Sequence, residues 1–166
     1  MNSFESAAGE MLTIEVSTRC NSSCRHCFAR AGRERDHELD GAAVLGILEE
    51  GISAGYRDFH ITGGEPFMWG GLDSVLEKAP RMGYRSLFIN SNGTLLTPEI
   101  CRRLVHSGLD AGISVSIQGN EDLHDSIRGE GSWGRARVGL SAALDAGVPV
   151  TVFTSVGRSL LPELPL

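Results

Sequence analysis

Three of the four cysteines in this chain lie within eight residues, in the segment CNSSCRHC that begins at Cys20. Thiolates are ligands for zinc ions and for iron–sulfur clusters, and a structural zinc ion normally takes four protein ligands. Cys20, Cys24 and Cys27 supply three, so a metal group that they hold keeps one position open. A catalytic metal site needs such an open position, whereas a structural site fills it.

The composition is that of an ordinary globular domain. The chain has 166 residues, 41% of them hydrophobic and 22% charged, which suits one domain. A net charge of −6 disfavours a nucleic-acid-binding protein. No apolar run approaches the ~20 residues that span a bilayer, and the first residues lack a signal-peptide pattern. We therefore expect a cytoplasmic protein with no nucleic-acid or membrane partner, whose clustered cysteines bind metal.

The hydrophobic pattern alternates short strands with helices. Strands are predicted at 11–17, 57–62, 85–90, 111–117 and 148–156, and helices at about 40–55, 71–82, 97–107 and 133–146. Asp40 and Thr97 are favourable N-caps, and Pro98 suits a first helical position. Five strands alternating with four helices predict an α/β domain with a parallel sheet and right-handed crossovers.

Four irregular polar segments directly follow the first four predicted strands. They read CNSSCRHC, GGEP, SNG and SIQG. In parallel α/β folds, ligands bind at the carboxyl ends of the strands, where all four segments lie. Glycine in these segments lets the backbone approach a ligand closely. We therefore expect the cysteines and these segments to form one site.

These motifs resemble those of the radical SAM superfamily. CNSSCRHC matches its CxxxCxxC cluster motif, and TGGEPFMW matches the GGEP motif at the end of its second strand. INSNGTLL and ISVSIQGNEDLHDSIRGEGSW are similar to the segments after its third and fourth strands, the second being closest to SPASM-type enzymes that mature peptides or cofactors. The resemblance covers residues 11–158 and implies a partial (β/α)6 radical SAM barrel, an incomplete TIM-like fold.

The resemblance also implies the chemistry. Cys20, Cys24 and Cys27 would hold a [4Fe–4S] cluster, and S-adenosylmethionine (SAM) would bind its fourth iron. One-electron reduction would yield a 5′-deoxyadenosyl radical that abstracts hydrogen from a peptide or cofactor-precursor substrate. The electron donor would be a protein such as flavodoxin or ferredoxin. No catalytic residue is implied beyond the cluster and SAM.

The residues implied to contact SAM follow the same motifs. Phe28 takes the aromatic position near the adenine, Ser116 contacts the ribose, and Arg128 pairs with the carboxylate, a task suited to a guanidinium fork. The GGEP segment lines the methionyl amino group, partly through backbone carbonyls. Gln118 stands where many relatives have Asp, and Asn92 faces the same cavity. The full set is Phe28, Gly63, Gly64, Glu65, Pro66, Asn92, Ser116, Gln118 and Arg128.

The residues themselves leave other interpretations open. The three cysteines could hold structural zinc in an interaction module, with His26 or Cys101 as fourth ligand. Cys101 is otherwise a small core residue of the third predicted helix. The chain could also be a catalytically inactive protein that binds a cluster or SAM. Glu65 and Arg128 could be solvated surface groups, and Ser116 a packing residue.

The sequence ends soon after its fifth predicted strand, whereas the family core usually has six. We therefore expect residues 1–166 to be the N-terminal part of a radical SAM core, with the fifth strand at an exposed edge. Further chain or a partner would supply the far wall of the substrate cavity. No cysteine follows Cys101, so we expect no auxiliary cluster of the SPASM type within these residues.

Overall fold

The computed structural model describes residues 11–157, which build one five-stranded sheet with helices between its strands. The strands are β1 (Met11–Ser17), β2 (Asp58–Gly63), β3 (Ser86–Ser91), β4 (Asp110–Ser116) and β5 (Val150–Phe153). The helices are α1 (Gly41–Ser53), α2 (Leu72–Met82), α3 (Pro98–Val105), α4 (Glu121–Arg128) and α5 (Ser132–Asp145), with a 3-10 turn at Pro66–Met68. The strands are parallel in the order β1-β2-β3-β4-β5. The predicted five-stranded parallel α/β fold is confirmed.

The prediction of four helices was wrong, because α4 lies between the fourth predicted strand and the last predicted helix, where no helix was predicted. This helix has eight residues, and among them only His124 is buried, so it lacks the apolar stripe that predicts a helix. Its start does carry a local signal. The side chain of Asn120 accepts a hydrogen bond from Leu123 N at 3.0 Å, and two acidic residues follow in the first turn.

The last strand is shorter than predicted. β5 covers Val150–Phe153 rather than 148–156. The reason is its neighbour: the register of β4 against β5 ends at the pair Ser116 and Phe153, so later residues have no partner strand on that side. Among the described residues β5 pairs only with β4 and lies at an exposed edge of the sheet.

The predicted helix caps are confirmed. Asp40 accepts a hydrogen bond from Ala42 N at 3.1 Å, and Thr97 accepts one from Ile100 N at 3.2 Å ahead of Pro98. Gly83 ends α2 with φ of 103°, a conformation that glycine adopts without steric cost. Within residues 11–157, none of the helices is both long enough and apolar enough to cross a bilayer.

The core lies between one face of the sheet and four of the helices. Alternate residues of the strands contribute Phe59, Ile61, Leu87, Ile89 and Ile113, all fully buried. Buried residues of α1, α2, α3 and α5 complete this cluster. Because side chains alternate along a strand, the residues between these point to the other face. That face carries polar groups near the carboxyl ends of the strands, and the candidate site lies there.

Candidate functional site

A cavity of about 360 Å³ lies at the carboxyl ends of the strands. It brings together parts of all four polar segments that follow the first four strands. Its lining consists of Cys20, Cys24, His26, Cys27, Phe28, Ala31, Thr62, Gly63, Gly64, Asn90, Ser91, Asn92, Ser114, Ser116, Arg128, Phe153 and Ser155. All three clustered cysteines therefore face one space.

Backbone hydrogen bonds hold the cysteine segment against the sheet. Cys20 N donates to Gly32 O at 3.2 Å, and Gly32 N donates to Thr18 O at 3.1 Å, so the chain folds back beside β1. Cys27 N donates to Cys24 O at 3.1 Å in a tight turn. This turn places Cys24 and Cys27 at the mouth of the cavity, whereas Cys20 is buried. None of the three forms a disulfide.

Hydrogen-bond donors lie near the sulfurs of Cys20 and Cys27. Ser22 N lies 3.4 Å from Cys20 Sγ, Asn92 Nδ2 lies 3.8 Å from the same sulfur, and Ala31 N lies 3.4 Å from Cys27 Sγ. Burial raises the pKa of the Cys20 and Cys24 thiols, while the positive charge of Arg128 pulls the pKa of Cys24 down. Metal binding would displace these protons, and donors near the sulfurs would then stabilise the thiolates.

The three cysteines do not converge on one metal-ion centre. Among residues 11–157, no three His, Cys, Asp or Glu side chains come close enough to share one metal ion. Zinc needs its ligand atoms within about 2.3 Å of one centre, whereas a four-iron cluster takes one thiolate on each of several irons. Cys101, the proposed fourth ligand, is fully buried in the core on α3, which confirms its prediction as a core residue.

The two glycines of the GGEP segment pack against the cysteine segment. Gly64 N donates to Ser17 O at 2.5 Å, and Glu65 N donates to Arg19 O at 2.8 Å. A Cβ on Gly64 would overlap the carbonyl oxygen of Arg19, and Gly63 has φ of 134°. These glycines therefore let the GGEP backbone pack closely against the backbone just before the first cysteine.

Glu65 lies behind the cavity wall rather than in the lining. Its buried carboxylate accepts hydrogen bonds from Phe67 N at 3.2 Å, Ser91 Oγ at 2.9 Å and Asn92 N at 2.8 Å. Burial raises the pKa of Glu65 to about 7, against the opposing effect of these donors and of Arg128. The alternative of a solvated surface group is wrong, because Glu65 joins the GGEP and SNG segments. Pro66 is buried beside it, at the start of the 3-10 turn.

Asn92 belongs to a polar network that sequence reasoning missed. Its Nδ2 donates to Asn21 Oδ1 at 2.7 Å, and Asn21 Nδ2 donates to Thr94 Oγ1 at 2.8 Å. Thr94 N donates back to Asn92 Oδ1 at 2.9 Å. The network connects the residue after the first cysteine to the turn after β3. The one sequence signal for it is the placement of Asn21 directly after Cys20.

Arg128 lies at the end of α4 and lines the cavity, so it is not a surface arginine. Its Nε is buried and has no hydrogen-bond partner. Its charge lowers the pKa of His26, after the larger effect of burial. A buried donor without a partner is costly unless an acceptor completes it, so the partly exposed Arg128 is suited to binding an anionic group.

Gln118 is buried outside the lining and connects the ends of β4 and β5. Its Oε1 accepts from Ser155 N at 3.1 Å, and its backbone N donates to His124 Nδ1 at 3.1 Å. Its Nε2 is buried without a partner. His124, which sequence reasoning left without a role, is thus a buried acceptor that joins α4 to the turn after β4.

We expect His124 to make the free energy of unfolding fall as pH drops from 6.5 towards 4. Burial, followed by the charge of Arg128, lowers the pKa of His124 from 6.5 to about 4. The unfolded chain therefore takes up the proton first, so the contribution is complete above pH 6.5 and is lost towards pH 4. The loss is at most about 3 kcal/mol.

Denaturant unfolding of the wild type and of His124→Asn across this pH range tests the expectation. Asparagine keeps an acceptor for Gln118 N but does not titrate, so the variant should lose less stability on acidification. Parallel pH profiles for the two proteins would contradict it.

The remaining predicted residues, Ser116 and Phe28, both line the cavity. Phe28 is 82% exposed at its rim. Sequence reasoning missed Thr62, Asn90 and Ser114, which face the same space from the middle of the sheet. The period-two alternation of β2, β3 and β4 could have identified them, since they lie on the face opposite the buried apolar residues.

A family model described as the radical SAM superfamily matches residues 14–162. The AdoMet-dependent heme synthase of Nitratidesulfovibrio vulgaris is 31% identical over 155 residues, which cover 92% of this chain and 42% of that protein. The sporulation killing factor maturation protein SkfB of Bacillus subtilis is 26% identical over 153 residues, covering 92% of this chain and 37% of SkfB. The chain thus spans about two fifths of the length of these curated relatives.

Solved structures show the same fold. The structure of anSMEcpe with bound AdoMet superposes with a TM-score of 0.78 at 16% identity, over 92% of this chain and 46% of that one. The structure of Streptococcus suis SuiB bound to precursor peptide SuiA gives a TM-score of 0.75 at 20% identity, over 93% of this chain and 35% of SuiB.

Proposed function

The chain belongs to the radical SAM superfamily, and we propose that it binds a [4Fe–4S] cluster and SAM and cleaves SAM reductively to begin hydrogen abstraction. One observation carries the proposal: three cysteines and a cation with an unused buried donor converge on a single cavity. Thiolates would hold the cluster, and the arginine would bind the anionic end of SAM. A zinc module explains the cysteines alone.

Cys20, Cys24 and Cys27 would hold the cluster, leaving one iron for SAM. When bound, the cluster supplies the electron for the cleavage of SAM. Asn92 would donate its amide hydrogen towards the sulfur of Cys20, a contact that adjusts cluster potential in iron–sulfur proteins. Phe28 at the rim and Phe153 at the end of β5 add apolar surface to the cavity.

The lining also offers a position for each part of SAM. Arg128 would pair with the carboxylate, backbone carbonyls of Gly63 and Gly64 would accept from the amino group, and Ser116 would contact the ribose. Glu65 and Pro66 would act from behind the wall by fixing the GGEP backbone, and Gln118 by fixing the turn after β4. For these three residues, we replace the expected direct contact with SAM by an indirect role, since none of them lines the cavity.

The substrate we propose is a peptide or a cofactor precursor. The relatives include a heme synthase, and the structurally similar SuiB is bound to a precursor peptide, so similarity supports both classes. We further propose a small electron-carrier protein such as flavodoxin or ferredoxin as the reductant, and the cytoplasm as the location. A catalytically inactive protein that binds the cluster or SAM is the second candidate. It is favoured by Gln118, which is buried outside the cavity lining and so offers SAM no direct contact from the turn after β4.

Anaerobic iron–sulfur reconstitution tests the proposal. The reconstituted protein should be brown, contain four irons per chain, and show an EPR signal that changes when SAM is added. Reduction with dithionite in the presence of SAM should release 5′-deoxyadenosine. SAM binding without 5′-deoxyadenosine would support the inactive candidate, and a colourless protein that holds one zinc ion would reject both.

Replacing Arg128 with alanine should weaken SAM binding while leaving the cluster intact. Loss of a charge-assisted hydrogen bond to a partly buried carboxylate corresponds to roughly a ten- to hundredfold rise in the dissociation constant. Arg128→Lys should restore part of the affinity, because lysine keeps the charge without the fork.

SAM titration of the reconstituted variants, followed by EPR, measures this change. Arg135→Ala is the matched control, since Arg135 lies nearby on α5 but donates to the backbone oxygen of Glu130 instead. Unchanged affinity in Arg128→Ala would show that other groups hold the carboxylate.

A further inference from the structure

Arg25, a residue of the cysteine motif that is not itself a ligand, connects this motif to the end of α4. Its backbone N donates to Ile127 O at 3.4 Å, and its Nη2 donates to Ser126 O at 2.9 Å. Both carbonyls belong to the last turn of α4, where helix carbonyls lack intrahelical partners. A cation is also favourable at a helix C-terminus. Arg25 therefore caps the helix that ends in Arg128.

A second anchor holds the other side of this turn. Asp125 accepts hydrogen bonds from Gly131 N at 2.6 Å, Ser132 Oγ at 3.0 Å and Trp133 N at 2.8 Å. These bonds fix the residues after α4 to the start of α5. The end of α4 is thus held by α5 on one side and by the cysteine segment on the other.

The two anchors differ in what they connect. Asp125 joins two helices that follow each other in the chain, whereas the contact of Arg25 crosses 101 positions in sequence. Arg25 lies between Cys24 and Cys27 but is absent from the cavity lining. Its side chain binds the end of α4 and does not enter the cavity.

We infer that Arg25 is a positioning residue that couples the cysteine segment to Arg128. The inference rests on the proposed function, because it takes Arg128 as the group that binds the carboxylate of SAM. The contacts of Arg25 tie the last turn of α4 to the segment between Cys24 and Cys27, so ligation of these two cysteines would also hold that turn in place. Binding of the cluster and binding of SAM would therefore favour each other, as linkage requires.

SAM titration of reconstituted Arg25→Ala, followed by EPR, tests the coupling. We expect the iron content to be unchanged and the SAM dissociation constant to rise roughly three- to tenfold. Arg25→Lys should recover part of the affinity, since an ammonium group can still donate to Ser126 O. Arg57→Ala is the control, because the guanidinium of Arg57 also donates to a carbonyl in the last turn of a helix, Ile52 O of α1. Arg57 lies just before β2, at the opposite end of the strands from the site. This control should bind SAM as the wild type does.

A double-mutant cycle separates positioning from general damage. If Arg25 acts through Arg128, adding Arg25→Ala to Arg128→Ala should cause no further loss of affinity. Additive losses would overturn the inference, and so would loss of iron in Arg25→Ala, which would mean that Arg25 supports the cysteines instead. Normal SAM binding by the wild type with unchanged affinity in Arg25→Ala rejects the inference alone. A wild type that holds the cluster but does not bind SAM rejects the proposed function and the inference together.

Discussion

Replacing Cys24 with alanine is expected to abolish cluster binding. Cys24 lines the cavity together with Cys20 and Cys27, and its removal leaves two thiolates for a group that needs three. His26 also lines the cavity, but an imidazole is a poor replacement for a soft thiolate on iron. Iron and sulfide content per chain after reconstitution, with the EPR spectrum of the reduced protein, would measure the loss.

Cys101→Ala is the matched control for this prediction. Cys101 lies in the core on α3 and does not line the cavity that holds the other three cysteines. Its removal should cost about 1 kcal/mol of stability at most, as a small core deletion, and leave the iron content unchanged. Full iron content in Cys24→Ala, or loss of iron in Cys101→Ala, would reject the assignment of the three ligands.

Replacing Gly64 with alanine is expected to destabilise the fold and to lower cluster content. The added methyl group would overlap the carbonyl oxygen of Arg19, which accepts the hydrogen bond from Glu65 N. The overlap involves backbone on both sides, so no side-chain rotation relieves it. The cysteine segment or the GGEP turn would have to move, at a cost of about 3 kcal/mol or more.

Gly46→Ala is a control that should change the free energy of unfolding in the opposite direction. Gly46 lies inside α1, and a Cβ there would meet nothing within 4 Å. Alanine should therefore stabilise the protein by about 0.5–1 kcal/mol through its higher helix propensity. Denaturant unfolding of the metal-free proteins gives both values. A stability for Gly64→Ala within error of the wild type would contradict the packing described for this turn.

Local patterns predicted most of the fold. The strands β1 to β4 lie within one residue of their predicted bounds at either end, because their β-branched and apolar residues are bounded by turns and helix caps. Capping side chains such as Asp40 and Thr97 act within three residues of their own position, so the sequence carries the signal where it is used. α4 escaped prediction because its one buried residue is a histidine rather than part of an apolar stripe.

The sequence likewise predicted part of the candidate site and not the rest. The spacing of Cys20, Cys24 and Cys27 and the position of the polar segments after parallel strands were enough to predict that they share one end of the sheet, since parallel strands bring their carboxyl ends together. Sequence could not decide which side chains of those segments enter the cavity. Glu65 and Gln118 turn away from it and accept hydrogen bonds from other segments.

The sequence by itself determined the grouping of the three cysteines, the α/β order and the end of the sheet where they lie, because each depends on residues close together in the chain. Only the tertiary structure decided which residues support the site. The Gly64 backbone contacts the segment before Cys20, Asn21 contacts a residue 73 positions away, and Arg25 reaches one 101 positions away. Such contacts depend on how segments distant in sequence pack together. Neither hydrophobic periodicity nor a helix-capping residue carries information about that packing.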